Sequence, residues 1–152
     1  MTGRRIVATG TFDILHPGHL FYLAESKKLG DELYVIVARD ANVKYKPRPI
    51  IPEAQRCAMI AALKPVDHAV LGDPTDMFRP IEEIRPDVIT IGFNQYFNEE
   101  KLRADLLARN LKAEVVRIGQ FPGGDLSSSR RIVERIIEIR GNAGTGDGQR
   151  TG

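Results

Sequence analysis

Residues Gly10–His19, GTFDILHPGH, follow the short apolar run Ile6-Val7-Ala8 and lead straight into a helical pattern. A strand that turns into a helix within a few residues sets the alternation on which the rest of the chain is built. Inside the stretch, His16 and His19 stand three residues apart, with Pro17 and Gly18 between them. On the first turn of a helix, positions three apart share a face, so both imidazoles point at one small volume. Pro17 suits the first helical position, where its missing N–H costs nothing. Gly18 has no side chain and lets a ligand come close to the backbone. The N–H groups and positive dipole end of that helix face the same way, which makes the stretch a site for an anion, with phosphate the first expectation.

Outward from this stretch the pattern repeats. Strands are expected at Arg5–Thr9, Glu32–Ala38, Val66–Leu71, Asp87–Ile91 and Glu114–Ile118. Helices are expected at Pro17–Leu29 (stripe Leu20, Leu23, Ala24; Gly30 as C′ stop), Pro52–Leu63 (Cys57, Ile60, Ala61, Leu63 inward), a short one before Pro86, one capped by Asn98 (Leu102, Leu106, Leu107 inward), and Ser127–Arg140 (Ile132, Val133, Ile136, Ile137). Five strands alternating with five helices predict an α/β, Rossmann-like single domain with a five-stranded parallel sheet and helices on both faces. In such sheets ligands sit beyond the C-terminal strand ends, where the strand order switches, and the opening stretch is expected there. Residues 1–140 form this domain. Residues 141–152, GNAGTGDGQRTG, lack an apolar pattern and hold five glycines, so they are expected to be a flexible tail.

Composition bounds the function class. The chain is 42% hydrophobic and 28% charged with a net charge of +2, which does not suggest a nucleic-acid binder. No apolar run approaches a membrane span, and Arg4 and Arg5 lead into a strand where a signal peptide would have its apolar segment. A single cysteine, Cys57, excludes an internal disulfide and argues against a thiolate metal site, which points to the reducing cytoplasm. Charge is uneven: between Arg39 and Arg56 there are five basic residues (Arg39, Lys44, Lys46, Arg48, Arg56) and two acidic ones (Asp40, Glu53). That loop follows the second strand, on the sheet edge where His16 lies. Three serines, Ser127, Ser128 and Ser129, followed by Arg130, open the last helix and offer a second anion nest, with ordinary N-capping by Asp125 or Ser127 an alternative that can hold beside it.

Neither a Walker loop nor a Rossmann glycine fingerprint fits, because Gly10 and Gly18 are too far apart and no Gly-Lys-Ser/Thr follows. The GTFD and HPGH submotifs, linked and in order at a strand-to-helix junction, resemble the signature of the nucleotidyltransferases that include the cytidylyltransferases and pantetheine-phosphate adenylyltransferase. The resemblance implies transfer of a nucleotidyl group from a nucleoside triphosphate to an acceptor that already carries a phosphate. Such an acceptor is anionic, so neither a general base nor a side-chain nucleophile is needed; the α-phosphate needs charge stabilisation as it becomes five-coordinate. By this resemblance His16, His19 and Lys44 are the catalytic residues. Thr11 and Phe12 would offer backbone amides beside the nucleotide, Gly18 close approach, and Lys46 and Arg56 further phosphate contacts. Ser127, Ser128, Ser129 and Arg130 would bind the β- and γ-phosphates. Asn94 takes a place often held by Asp, near the sugar or base, which argues against a metal role there. Asp13 is expected to orient the loop or to form a turn.

Within that superfamily residues 1 to about 140 most resemble the small archaeal FAD synthases, in GTFDILHPGH, LGDELYVIVARD, KPRPIIPEAQR and LKPVDHAVLG. That resemblance implies FMN and ATP as substrates, FAD and pyrophosphate as products, Mg²⁺ carried on the triphosphate with metal ligands unassigned, and a homodimer. A cytidylyltransferase acting on a small phosphorylated alcohol such as glycerol 3-phosphate is the alternative, and a noncatalytic nucleotide-binding regulator the third reading. The loop aromatics Tyr45, Phe93, Tyr96, Phe97 and Phe121 are candidates to stack a flavin or a base.

Overall fold

A computed structural model of the chain describes residues 3–44 and 47–141. Five strands, β1 (Arg5–Gly10), β2 (Glu32–Val37), β3 (His68–Leu71), β4 (Val88–Ile91) and β5 (Glu114–Arg117), alternate with five helices, α1 (Pro17–Lys27), α2 (Glu53–Ala61), α3 (Arg79–Ile84), α4 (Glu99–Ala108) and α5 (Ser129–Ile136). All strand pairs are parallel and the order is β3-β2-β1-β4-β5. The chain winds outward from β1 to β3, returns, and lays β4 on the other side of β1. The switch in strand order therefore falls between β1 and β4.

Both sheet faces are covered, so the central strands read as apolar runs. Ile6, Ala8, Leu33, Val35, Val37 and Val88 pack with Leu23 of α1 and Ile60 of α2. Val7, Ile36, Ile89, Ile91 and Val115 pack with Ile81 and Ile84 of α3 and Leu102 and Leu106 of α4. Adjacent residues of β1 thus serve opposite cores, as a strand's period of two requires.

The helix faces differ from the expected stripes in several places. On α1 the buried residues are Tyr22, Leu23 and Ser26, whereas Leu20 is 45% exposed and Ala24 faces solvent. The reason is polar. Tyr22 and Ser26 carry hydroxyls that bond to Thr9 and Thr90 on the sheet, so α1 turns a mixed face inward. On α2 Ile60 is buried, but Ala61 is exposed and the other buried residue is Arg56. Leu107 of α4 is 68% exposed. Gly30 is not a left-handed stop: a Cβ there would lie 2.7 Å from the Arg4 carbonyl oxygen, so glycine is needed for close packing against the start of β1. Asn98 caps α4 as expected, accepting from the Lys101 amide. The last helix is regular only through Ile136, after which Ile137–Gly141 form a π-helical turn. Of the expected tail, residues 142–152 lie outside the described residues.

Candidate active site

A cleft of about 530 Å³ opens over the C-terminal ends of β1 and β4, at the switch point. Its floor is Thr9–Phe12. Its walls are His16, Gly18, His19 and Phe21 of α1, the loop Gly92–Gln95, the segment Gly119–Phe121 and the N-terminus of α5 with Ser127–Arg130.

The two histidines come together as their spacing requires. Their rings stack with centroids 3.7 Å apart and planes inclined by 27°. His16 is also the N-cap of α1: its Nδ1 accepts from the Gly18 N–H at 3.0 Å. That bond fixes the neutral tautomer, because an Nδ1 that accepts leaves the proton on Nε2. Burial pushes the His16 imidazole below its ordinary value of 6.5, which favours this neutral form. Gly18 is required by the same turn, since a Cβ there would lie 2.9 Å from the His16 ring and 3.2 Å from the Ser127 carbonyl oxygen. Pro17 opens the helix, as expected.

Phe12 lies behind the histidines. Its backbone is left-handed (φ 54°), an uncommon state for a bulky residue. Its ring is buried, meets His19 edge-on at 5.3 Å and stacks on Tyr22 at 6.4 Å. Gly10 makes room for it, because a Cβ at position 10 would come within 2.7 Å of the Phe12 ring. Beneath lies a polar knot. The Tyr22 hydroxyl donates to the Thr90 carbonyl at 2.9 Å and accepts from the Thr9 amide, and the Ser26 hydroxyl meets Thr90 Oγ1 at 2.8 Å. Burial pushes the Tyr22 phenol up to about 12, so it stays protonated.

The loop after β1 is tied to the basic loop. The Asp13 carboxylate accepts from the Ile50 and Ile51 amides, each at 2.9 Å, so its loop-orienting role is the one the geometry carries. Arg56 reinforces the tie. It is buried at the start of α2, and its guanidinium donates to the carbonyls of Thr11 and Ile51 and to the Asp40 carboxylate at 2.6 Å. The Arg56 hydrogen bond is the main cause holding the Asp40 carboxyl below its usual range. Arg56 is therefore spent within the protein, behind the cleft rather than in it. Lys44 is exposed on the loop beyond β2 and is not among the lining residues. Lys46 and Tyr45 lie outside the described residues.

At α5 all three serines and Arg130 line the cleft, but each hydroxyl is engaged. Ser128 is the N-cap and accepts from the Arg131 amide. Ser127 donates to the Gly124 carbonyl, and Ser129 bonds both the amide and the carbonyl of Ile14, stapling α5 to the loop after β1. What this segment turns to an anion is chiefly its first-turn amides and the Arg130 side chain, which is 89% exposed and reaches Glu134. Asn94 is exposed at the opposite wall. Of the aromatic candidates, Phe93 and Phe121 line the cleft, Tyr96 is fully exposed, and Phe97 packs on the α3/α4 core.

Sequence reasoning passed over Phe21, which meets Phe121 at 5.6 Å in the cleft, and it left Gln95 without a role. Gln95 accepts from the Gly92 amide and donates to the Thr9 carbonyl, bridging the two strands of the switch point. Its position directly beside Asn94, after a strand, was the available signal. Among the described residues no group of three or more His, Cys, Asp or Glu could hold a metal ion, and no helix is long and apolar enough to cross a membrane.

The model of the cytidylyltransferase-like family matches residues 7–135. The chain is 74% identical over 142 residues to a FAD synthase of Methanoregula boonei, covering 93% of this chain and 96% of that one. It is 76% identical over 138 residues to a FAD synthase of Methanosphaerula palustris, covering 91% and 90%. A solved structure, that of a lipopolysaccharide core biosynthesis protein from Thermoplasma volcanium GSS1, superposes with a TM-score of 0.77 at 45% identity, covering 79% of this chain and 99% of that one.

Proposed function

The chain belongs to the cytidylyltransferase-like family, and we propose that it is a FAD synthase, an adenylyltransferase that joins the AMP moiety of ATP to the phosphate of FMN. Identity of 74% to a FAD synthase along nearly the full length of both chains carries this reading. The cleft supports it with a stacked histidine pair and two helix N-termini around one volume.

In the reaction an oxygen of the FMN phosphate attacks the α-phosphorus of ATP in line. The new P–O bond forms as the bond from the α-phosphorus to the bridging oxygen breaks, and pyrophosphate leaves with that electron pair. The nucleophile is already anionic, so no residue has to remove a proton. His16, held neutral with its Nε2–H toward the cleft, donates to the oxygens that gain charge at the α-phosphate, and His19 acts from the same face. Gly18 and the amides of Thr11 and Phe12 lie along the nucleotide. The segment Ser127–Ser129 at the N-terminus of α5, with Arg130, holds the leaving pyrophosphate. Asn94 meets the sugar or base. Lys44 is assigned a catalytic role and Lys46 a phosphate contact by the family resemblance of the basic loop, and Arg56 acts by fixing that loop to Thr11.

Among the described residues no group of three or more His, Cys, Asp or Glu could hold a metal ion, and the Asp13 carboxylate is engaged by two amides. A divalent cation, Mg²⁺ in this proposal, is carried by the triphosphate and supplies charge neutralisation there. The protein is proposed to work in the cytoplasm as a homodimer. The experiment is to incubate purified protein with ATP or CTP, and FMN or glycerol 3-phosphate, and to identify the product by mass. FAD with ATP and FMN is expected. CDP-glycerol without FAD would replace the reading with the cytidylyltransferase one, and no pyrophosphate from any pairing would favour a noncatalytic regulator.

A further inference from the structure

We propose that Arg117, the last residue of β5, is a positioning residue for the nucleotide, acting by holding the loop 92–97 around its guanidinium. The proposal takes the ligand to be ATP and rests on the adenylyl-transfer reading for that identity.

Arg117 pairs in register with Ile91, so its side chain leaves the sheet level with the end of β4, where the loop begins. Its Nη1 donates to the carbonyls of Gly92 at 2.8 Å and Gln95 at 3.0 Å, with Phe93 further off at 3.4 Å. Nη2 reaches the Phe97 carbonyl at 3.4 Å, and Nε donates to Glu99 of α4 at 2.6 Å. The loop thus curls about one cation with its carbonyls turned inward. Gln95 ties the other edge, bonding the Gly92 amide at 2.6 Å and the Thr9 carbonyl at 3.1 Å. With the backbone held from β5 on one side and β1 on the other, Phe93 and Asn94 are presented to the cleft. Phe93 remains 47% exposed there, an apolar ring that has no burial of its own to hold it.

The geometry calls for arginine. A planar fork reaches carbonyls spread along six residues, whereas the lysine ammonium is a single point that cannot span them. The Glu99 contact serves a different end, because it joins β5 to α4. The two roles separate by substitution: Arg117→Gln removes the fork and the charge, Arg117→Lys keeps the charge, and Glu99→Gln weakens the link to α4 while leaving the fork on the loop.

The test is the affinity for ATP, measured both as a dissociation constant by calorimetry and as KM, with kcat and the KM for FMN beside it. Arg117→Gln is expected to weaken ATP by about tenfold in both measures, with kcat and the FMN constant within about twofold. Arg117→Lys is expected between that variant and the parent, and Glu99→Gln at the parent value. ATP bound as tightly by both Arg117 variants as by the parent would overturn the proposal, as would a fall in kcat with ATP affinity unchanged, or an equal loss in Glu99→Gln. Should Arg117→Gln not fold, Arg117→Lys decides by the same criterion. A parent that binds ATP but makes no FAD would sink the acceptor reading and leave this inference standing; a parent that binds no ATP would overturn both.

Discussion

His16 carries two loads at once: it caps α1 and it faces the cleft. Replacing it by alanine is expected to cost about 1 kcal/mol through the lost cap and to slow FAD formation by about 10²–10³-fold through the lost donor. His19→Ala should show the rate loss without the capping cost. Steady-state rates set beside denaturation curves check this, and a negligible loss of rate in either variant would remove that residue from the mechanism. The same residue sets a pH dependence. Burial depresses the folded-state pKa of His16 below 6.5. As the pH falls past 6.5 the unfolded chain therefore takes up a proton that the folded chain still refuses. Stability of the ligand-free protein from this group holds above about 6.5 and is lost from there down to the folded value. Protonation would also fill the Nδ1 that caps Gly18 and place a charge against the His19 ring. Denaturant unfolding from neutral pH downward reads this. His16→Asn keeps a capping acceptor without titrating there, and should flatten that part of the profile.

At the scale of elements, the site is built by ties between loops that follow different strands. The loop after β1 is joined to the start of α2 by Asp13 and Arg56 and to α5 by Ser129, and the end of β1 is joined to the loop after β4 by Gln95. Arg56 is the buried member of these ties. Arg56→Met is expected to cost about 2–3 kcal/mol through the lost charged hydrogen bonds. The cost stays at that level because Asp40, whose side chain is 44% exposed, regains water when left alone. Activity should fall as well, since Thr11 loses its anchor beside the histidines. Asp13→Asn, which removes the charge but keeps one acceptor, should be milder on both counts. Thermal melting and initial rates measured together check the pair. A large loss of rate in Arg56→Met with unchanged stability would instead favour direct contact between Arg56 and a phosphate.

At the scale of the whole molecule, α5 stands apart from the cores. None of its residues is buried, and Leu126, Ile136, Ile137 and Ile139 are 40%, 50%, 61% and 44% exposed. Exposed apolar residues gathered at one end of a chain suit contact with a second copy, in line with the proposed homodimer. Ile136→Lys together with Ile137→Lys is expected to convert a dimer into a monomer, read by sedimentation. A parent chain that sediments as a monomer would dispose of that arrangement.

The periodicities of 2 and 3.6 sufficed for the five strands, the five helices and the parallel sheet, because apolar runs bounded by caps and prolines are local signals. The spacing of His16 and His19 sufficed for their meeting, because one helical turn brings them face to face. Sequence did not tell that Arg56 would be buried, since a basic residue in a charged stretch reads as a solvated one until Thr11, Ile51 and Asp40 are seen to converge on it. Nor did it tell that all three serine hydroxyls would be engaged inside the protein, with Ser128 the cap, or that Arg117 would gather a loop. Each depends on carbonyls and amides brought together across strand connections, between residues as much as 115 positions apart. The stretch Gly10–His19 by itself determined where an anion would sit; only the tertiary structure decided which neighbouring groups are left to hold it, because hydrogen-bonding capacity spent inside the protein is withdrawn from the ligand.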